Sequence, residues 1–271
     1  MIKTYIKRDY YLDRIIPFID KNIIKVIVGQ RRVGKSYMLF QIIDLLKSRG
    51  VREEEIIYIN KELEEFEPVK DYKDLLDFIK VKIKNRRKAY IFIDEIQEIE
   101  SFEKALRSLQ AEGSYDIYIS GSNANLLSGE IATHLSGRYI EIKIYSLSYP
   151  EFLCFHKLAD NNESLQKYIK YGGLPYLIHL ELEDNIVYDY LRNIYSTILF
   201  KDIVARYKIR NINFLERLVE YLADNVGSLV SANKISDFLK SQKINISPNV
   251  VLDYLSFLGL LRNELVKPFP A

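Results

Sequence analysis

Cysteine is nearly absent from this sequence of 271 residues, and that absence narrows the classes of protein it can be. The single cysteine, Cys154, cannot form a disulfide within the chain, which fits a reducing compartment. The three histidines, His134, His156 and His179, are scattered without the close spacing that zinc ligands show. The sequence therefore predicts neither a disulfide-stabilised secreted domain nor a zinc site.

Long apolar runs are missing as well. No apolar run in the sequence is long enough to span a bilayer. Lys3, Lys7 and Arg8 interrupt the N-terminal segment too early for a signal peptide. We therefore expect a cytoplasmic protein that does not bind a membrane.

The sequence also lacks a strong excess of either charge. Its formal net charge is +2, and residues 201–271 hold 10 Lys and Arg against 7 Asp and Glu. A polyanion-binding character of the whole chain is therefore not indicated, and any basic surface lies in the C-terminal part and is weak. With 48% hydrophobic and 28% charged residues, the composition is that of a globular protein with room for two domains.

One motif is complete. Residues 29–36 read Gly-Gln-Arg-Arg-Val-Gly-Lys-Ser, which is the G-x-x-x-x-G-K-[ST] pattern of a phosphate-binding loop. An apolar run at 23–28 precedes it and a helical pattern follows, and this strand–loop–helix context is what the motif requires. The residues expected to bind the nucleotide are Gly29, Gln30, Arg31, Arg32, Val33, Gly34, Lys35, Ser36 and Tyr37.

Each residue type that the loop pattern requires has a physical role. The glycines let successive backbone N–H groups point inward as an anion nest, and the following helix adds the positive end of its dipole. Lys35 would contact the β- and γ-phosphates, and the Ser36 hydroxyl would ligate Mg²⁺. The loop therefore predicts a site for ATP with Mg²⁺.

A second candidate element is the apolar run at 89–93, which ends in Asp94 and Glu95. A continuous apolar run is typical of a central parallel strand that is buried on both faces. In P-loop ATPases the first acid holds Mg²⁺ and a following Glu polarises the attacking water. Asp94 is therefore assigned to the metal with Ser36, and Glu95 to catalysis with Lys35. The alternative is a strand that ends in solvent-facing acids.

Small polar residues follow the next predicted strand, at 115–119. Ligands of open parallel sheets bind beyond the carboxyl ends of the strands, so Ser122 and Asn123 are candidates for sensing the γ-phosphate or the attacking water. Serine and asparagine are equally ordinary in turns and as helix N-caps. The sequence leaves both interpretations open, with Asn123 as the catalytic candidate.

The order of the predicted elements indicates an α/β fold. About five strands alternate with helices, which predicts a P-loop NTPase three-layer sandwich with a five-stranded, mostly parallel sheet. From Leu147 onward the pattern is helical, so an all-α segment and a winged-helix-like domain should follow. We expect a P-loop ATPase domain at 1–147, a helical lid or connector at 148–210, and a winged-helix-like domain at 211–271.

Three short helices are predicted in the last part, at 213–226, 231–241 and 248–260, and they resemble a helix-turn-helix or winged-helix domain. The last of them would be the recognition helix, and only 260–266 remains for the wing, which is cut short. The candidate contacts to duplex DNA are Lys240, Lys243, Ser247 and Asn249. Because the basic excess is small, the domain could instead serve packing or protein interaction.

Seven short motifs occur in the order of a known family. They are the phosphate loop and residues 93–97, 120–123, 135–138, 147–152, 171–175 and 201–203. Together they resemble the AAA-type ATPases of bacteria and archaea, which carry a P-loop domain, a helical segment, a winged helix and a nuclease-like C-terminal domain of unknown function. The motifs quoted do not extend to that last domain, and we expect it to be missing from these 271 residues.

The resemblance implies an AAA+-like sheet, ATP with Mg²⁺, and a role for Arg138. In the family, an arginine at this motif stabilises charge or senses the γ-phosphate, in its own subunit or in a neighbour's. A plain structural salt bridge is the alternative for Arg138. A homo-oligomer is compatible with the resemblance, and family members are not uniformly ring-formers.

Two functions share all of these residues. The first is a Mg²⁺-dependent ATPase coupled to a winged-helix domain that binds DNA. The second is a slow nucleotide-gated switch that controls DNA or a protein partner with little steady-state turnover. The rate of turnover separates the two.

Overall fold

The computed structural model describes residues 5–83, 88–121, 135 and 137–265. The chain divides into two compact units, Met1–Leu180 and Glu181–Ala271. This division does not fall at either boundary expected from the sequence, 147/148 or 210/211, and the three-part organisation stays a prediction.

The first unit alternates strands and helices as predicted. Its strands are β1 (Ile24–Val28), β2 (Ile56–Asn60), β3 (Ala89–Asp94), β4 (Tyr115–Gly121) and β5 (Tyr139–Lys143). Its helices are α1 (Asp9–Ile15), α2 (Lys35–Ser48), α3 (Tyr72–Ile83), α4 (Phe102–Glu112), α5 (Tyr149–His156) and α6 (Asn162–Tyr171). Short 3-10 helices lie at Ile16–Phe18, Glu53–Glu55, Glu64–Phe66, Ile96–Glu98 and Pro175–His179.

The five strands form one parallel sheet in the order β2-β3-β4-β1-β5. Every residue of β1 and β3 is buried, which explains why their sequences are nearly continuous apolar runs. All strands point the same way, so their carboxyl ends share one edge of the sheet. The predicted five-stranded α/β fold is confirmed, and this edge is where its ligands should lie.

Two apolar clusters cover the two faces of the sheet. One packs α3 and α4 against the sheet through residues such as Leu75, Ile79 and Leu106. The other packs α1 and α2 through residues such as Tyr11 and Leu39. Helices on both faces of a parallel sheet make the three layers that the alternating pattern predicts.

A buried ion pair interrupts the apolar interior. Lys25 in β1 is fully buried and pairs with Asp116 of β4. Asp116 also accepts hydrogen bonds from the Tyr118 hydroxyl at 2.9 Å and from the Asp20 N–H at 2.8 Å. Burial lowers the pKa of the Lys25 ammonium, and Asp116 opposes that shift. Each charge therefore needs the other, since an unpaired buried charge is strongly unfavourable.

The described residues of the second unit form helices joined by turns and short irregular segments. It contains α7 (Asp184–Thr197), a π-helix (Ile198–Val204), α8 (Ala205–Tyr207), α9 (Ile212–Asp224), α10 (Ala232–Ser241) and α11 (Pro248–Leu265). Phe214, Leu218, Ile235, Leu239 and Val251 join α9, α10 and α11 in one core. No helix in the described part of the chain combines the length and apolarity needed to cross a membrane.

The last helix is longer than the sequence indicated. It continues to Leu265 instead of ending at residue 260, so the segment expected to supply a shortened wing is helical up to that residue. Gly259 did not end the helix, because one interior glycine costs only about 1 kcal/mol relative to alanine. The helix-turn-helix arrangement of α10 and α11 is present, and the described residues of this unit contain no strand.

Candidate active site

The phosphate-loop sequence connects β1 to α2 at the carboxyl edge of the sheet. Its backbone has positive φ angles at Gly29 (153°), Arg32 (70°) and Gly34 (99°). Helix α2 begins at Lys35, directly after the second glycine, so its N-terminal N–H groups adjoin the loop. Such a turn in front of a helix N-terminus is an anion-binding arrangement.

Gly29 is required by its surroundings as well as by its φ angle. A Cβ atom at this position would overlap the carbonyl oxygen of Ile144, which follows β5. We expect Gly29→Ala to lower the free energy of unfolding by about 2–4 kcal/mol and to weaken nucleotide binding, because the loop must move away from β5. Denaturant unfolding and a nucleotide titration of the same sample check both effects.

The matched control for that change is Gly113→Ala. Gly113 also has a positive φ angle, 70°, but a Cβ atom there would meet nothing within 4 Å. We expect a loss of about 1–2 kcal/mol and unchanged nucleotide affinity. Equal losses in the two variants would show that close packing against Ile144 does not constrain the loop.

Lys35 connects the loop to the end of β3. Its side chain is 5% exposed, and its Nζ donates to the Gln30 carbonyl oxygen at 3.2 Å. The same Nζ lies 3.9 Å from Oε1 of Glu95. The ammonium is therefore held over the loop and beside the acidic end of β3, and its contact with phosphates stays a prediction.

Asp94 is the last residue of β3, and it is 1% exposed. Its carboxylate accepts hydrogen bonds from two neighbouring strands, from the Tyr58 hydroxyl at 3.1 Å and from the Ser120 hydroxyl. Burial and the nearby Asp94 charge raise the pKa of Tyr58, so that phenol stays a neutral donor. These two donors fix the orientation of the carboxylate.

Glu95 follows in an unusual backbone conformation. Its φ of 57° and ψ of 52° lie in the left-handed region. Few non-glycine residues adopt this conformation, and those that do are often found at functional sites. Its N–H donates to the Ser120 hydroxyl at 3.3 Å, and its carboxylate accepts from the Gln97 side-chain amide. The side chain is 13% exposed, so Glu95 is a sheltered carboxylate beside Lys35.

The donor set at this edge suits a magnesium ion that also binds phosphate. The Ser36 hydroxyl and the Asp94 carboxylate are hard oxygen donors of the kind Mg²⁺ prefers. Within the described residues, no group of three His, Cys, Asp or Glu side chains could hold a metal ion alone. Mg²⁺ is usually bound through one or two protein oxygens plus substrate phosphates and waters, so the residues present fit it.

Of the other residues predicted for the site, two lie next to Lys35 on α2 and two lie outside the described part of the chain. Ser36 is half-buried in the first turn of α2, and Tyr37 is 49% exposed with its ring edge-to-face on Phe40. Ser122 and Asn123 lie outside the described residues. Their sensing role stays a prediction.

Arg138 lies at the other end of the strands, where their amino ends meet. It directly precedes β5, and its carbonyl oxygen accepts from the Ile24 N–H at the start of β1 at 3.0 Å. The phosphate loop follows the other end of β1, about 16 Å away for a five-residue strand. The Arg138 backbone therefore lies at the end of the sheet that is far from its own phosphate loop. The Arg138 side chain is exposed, and action on a neighbour's nucleotide stays a prediction.

Sequence reasoning missed three residues that shape this site. Tyr58 and Ser120 orient Asp94. Both lie on strands that flank β3, near its carboxyl end, and this position is the feature that could have identified them. Arg8, at the start of α1, is 5% exposed and donates to the carbonyl oxygen of Val33 in the loop at 3.2 Å. No local motif marks Arg8, because its partners are remote in the sequence.

Comparison with known families now adds to the geometry. A family model described as an AAA domain matches residues 21–153. This match spans slightly less than half of the chain, and over these residues the chain is similar to an AAA domain of the P-loop type. Its AAA domain contains the loop, Asp94 and Glu95, and this fold implies nucleotide binding. A second model, a domain of unknown function (DUF8612), matches residues 162–263. Helix α1 and Arg8 lie outside both matches.

The sequences of two curated relatives align with most of this chain, and both proteins are described as uncharacterized. One, from Haemophilus influenzae, is 41% identical over 265 residues, covering 95% of this chain and 65% of the relative. The other, from Methanocaldococcus jannaschii, is 33% identical over 249 residues, covering 88% and 55%. The chain thus spans less than two thirds of the length of either relative.

Solved structures align with the chain only at low similarity. The Cdc6p structure from Pyrobaculum aerophilum aligns with 95% of this chain and 88% of its own, at 11% identity and a TM-score of 0.46. A likeness of that size says nothing about what this chain binds.

Proposed function

We propose that this AAA domain binds ATP with Mg²⁺ and hydrolyses it to ADP and phosphate. The observation that supports the proposal is the convergence of Lys35, Asp94 and Glu95 at the carboxyl edge of the sheet, next to the loop. A phosphate-binding loop, a metal-binding acid and a second acid for the water are the parts that phosphoryl transfer to water requires.

Positioning and charge carry the proposed reaction. The loop N–H groups and the Lys35 ammonium would hold the β- and γ-phosphates, and Ser36 and Asp94 would hold the metal. When bound, Mg²⁺ neutralises charge on the phosphate oxygens. Glu95 would accept a hydrogen bond from the attacking water and orient it toward the γ-phosphate. Because the Glu95 side chain is largely buried, few other waters compete for its carboxylate.

The deciding experiment is steady-state phosphate release by this chain from ATP with Mg²⁺, with and without duplex DNA. The proposal predicts release that requires both ATP and Mg²⁺ and that falls to background with EDTA. Binding of ATP without any release, in either condition, would contradict an ATPase and leave only nucleotide binding.

A slow nucleotide-gated switch is the second candidate, and one observation favours it. The Glu95 carboxylate already accepts from Gln97 through Oε2 and has the Lys35 ammonium 3.9 Å from Oε1, so these partners compete with a water for it. In that case, the chain would retain one nucleotide per copy and release little phosphate. Gln97→Ala should then raise the turnover rate.

A role for Arg138 requires a second copy of the chain. We propose that it acts on the nucleotide of a neighbouring subunit in a homo-oligomer, because its own loop is at the other edge of the sheet. We place the chain in the cytoplasm, where its exposed thiol, Cys154, fits a reducing environment.

We also propose that α10 and α11 bind duplex DNA. Ser236 fixes the turn between them by donating to the Ile246 carbonyl oxygen at 2.6 Å, and Ser247 caps α11 by accepting from the Val250 N–H at 3.4 Å. Lys243 and Asn249 beside this turn are exposed. Lys240 is also exposed, in an ion pair of 3.3 Å with Asp237 on the same helix.

The DNA proposal predicts gel retardation of a duplex near 50 mM salt that weakens steeply by 200 mM. Lys243→Glu should reduce the affinity by roughly 5- to 10-fold, because it replaces a phosphate-binding cation with an anion. Lys234→Glu at the start of α10 is the control for net charge. Equal effects of both variants, or no retardation at 50 mM salt, would rule out this surface.

A further inference from the structure

The Arg8 side chain joins segments that are far apart in the sequence. Its guanidinium is almost fully buried and stacks over the Tyr11 ring at 4.5 Å. It donates to the carbonyl oxygens of Val33 (3.2 Å), Tyr145 (2.9 Å) and Ser146 (3.4 Å), and to the two carboxylate oxygens of Glu151 (2.8 and 2.9 Å). The phosphate loop, the segment after β5 and the first turn of α5 therefore share one cation.

The bond to Val33 bears directly on the anion site. A trans peptide points its C=O and its N–H in opposite directions. Arg8 holds the Val33 carbonyl oxygen on its own side, so the N–H of Gly34 in the same peptide faces away from Arg8. A charged donor on the carbonyl oxygen also polarises the peptide and strengthens the N–H as a donor.

The bond to Glu151 reaches a different element. Glu151 closes the capping box of α5, since its carboxylate accepts from the Ser148 N–H at 2.9 Å and from the Ser148 hydroxyl at 3.0 Å. Hydrogen bonding to Arg8 and Ser148 lowers the pKa of Glu151 although burial opposes the shift. One carboxylate thus holds both Arg8 and the beginning of α5.

The Arg8 backbone is tied to the helix that follows the loop. Its N–H donates to Oε1 of Gln41 at 2.9 Å, and Gln41 on α2 is 4% exposed. Arg8 is therefore anchored to α2 while its guanidinium bridges the loop and α5. A displacement of the loop peptide relative to α5 must change at least one of these bonds.

We propose that Arg8 is a positioning residue for the nucleotide phosphates and connects their binding to α5. Arg8 orients the Gly34 N–H for the phosphates, and phosphate binding in turn stabilises the Arg8–Glu151 pair and the first turn of α5. The two effects are the reciprocal sides of one coupling free energy. The inference rests on the proposed nucleotide binding, and it assigns a role to Arg8, which lies outside the AAA match.

The first test measures ADP affinity by calorimetry for the wild type, Arg8→Lys and Glu151→Gln. Arg8→Lys keeps the charge but loses the planar fork, and we expect a Kd weaker by roughly 3- to 30-fold. Glu151→Gln touches no loop atom, yet the Kd should also weaken, and the double variant should lose less than the product of the two factors. Arg14→Lys, at the exposed end of α1, is the matched control and should bind as the wild type.

The second test separates coupling from mere stability. Amide hydrogen exchange of residues 149–156 should slow when ADP binds the wild type, and ADP at saturation should not slow it in Arg8→Lys. Variants that lower only the unfolding temperature, with wild-type Kd and a wild-type exchange response, would overturn the inference. A wild type that binds no ADP would instead refute the proposed function, and the inference with it.

Discussion

Lys35→Ala is expected to abolish measurable nucleotide binding at micromolar concentrations. The Lys35 ammonium is nearly buried and is held over the loop by the Gln30 carbonyl oxygen, so it reaches the phosphates without reorganisation. Loss of charge-assisted hydrogen bonds to phosphate should cost about 3 kcal/mol or more, on the order of 100-fold in Kd. Calorimetric titration with ATP and Mg²⁺ measures the change.

The control for Lys35→Ala is Lys47→Ala. Lys47 lies in the last turn of the same helix and forms an exposed ion pair with Glu53, so its removal should leave the Kd for ATP unchanged. Thermal unfolding without nucleotide shows whether Lys35→Ala remains folded. A folded Lys35→Ala variant that hydrolyses ATP at the wild-type rate would refute the assignment of the site.

Glu95→Gln should separate binding from turnover. The amide keeps the size of the side chain and can keep its contact with Gln97, but it cannot take a proton from water. We expect kcat to fall by about 10²- to 10⁴-fold, while the Kd for ATP changes little. A binding titration and a phosphate-release assay on the same preparation give the two numbers.

Glu98→Gln is the matched control for that variant. Glu98 ends the 3-10 helix after β3 and is exposed, so the same chemical change there should leave kcat unaltered. If Glu95→Gln lowered kcat only in proportion to its loss of ATP affinity, Glu95 would be a binding residue and the assignment of the water to it would be wrong. A variant with full ATP affinity and no turnover would also serve for trapping the bound state.

The fold was predictable because its signals are local. The apolar runs of β1 and β3, the glycines of the loop and the helical spacing after Lys35 each lie within a few neighbouring residues. These signals fixed the parallel sheet and the edge where Lys35, Asp94 and Glu95 meet. Helix ends were less predictable, as the extension of α11 through Gly259 shows, since packing can override one unfavourable residue.

The parts that escaped prediction depend on distant contacts. Arg8 meets Glu151 across almost the whole first unit, and nothing near Arg8 in the sequence indicates it. Arg138 shows the converse: its motif suggested a place near the phosphates, but its backbone pairing with Ile24 puts it at the other edge. Sequence motifs name the residue types of a site, whereas strand direction decides which of them meet.

The position of β1 between β4 and β5 has a consequence for synthesis of the chain. Its pairing partners are β4 and β5, so residues 24–28 have no strand to pair with until residues 118–143 have been made. At about 5–20 residues per second, this delay is roughly 5–25 s, during which an apolar strand is open to association with other chains. Lys25 places a charge in the middle of that strand until Asp116 arrives, and a charge there opposes such association. The lysine of the buried ion pair thus opposes association of the nascent chain before the pair can form.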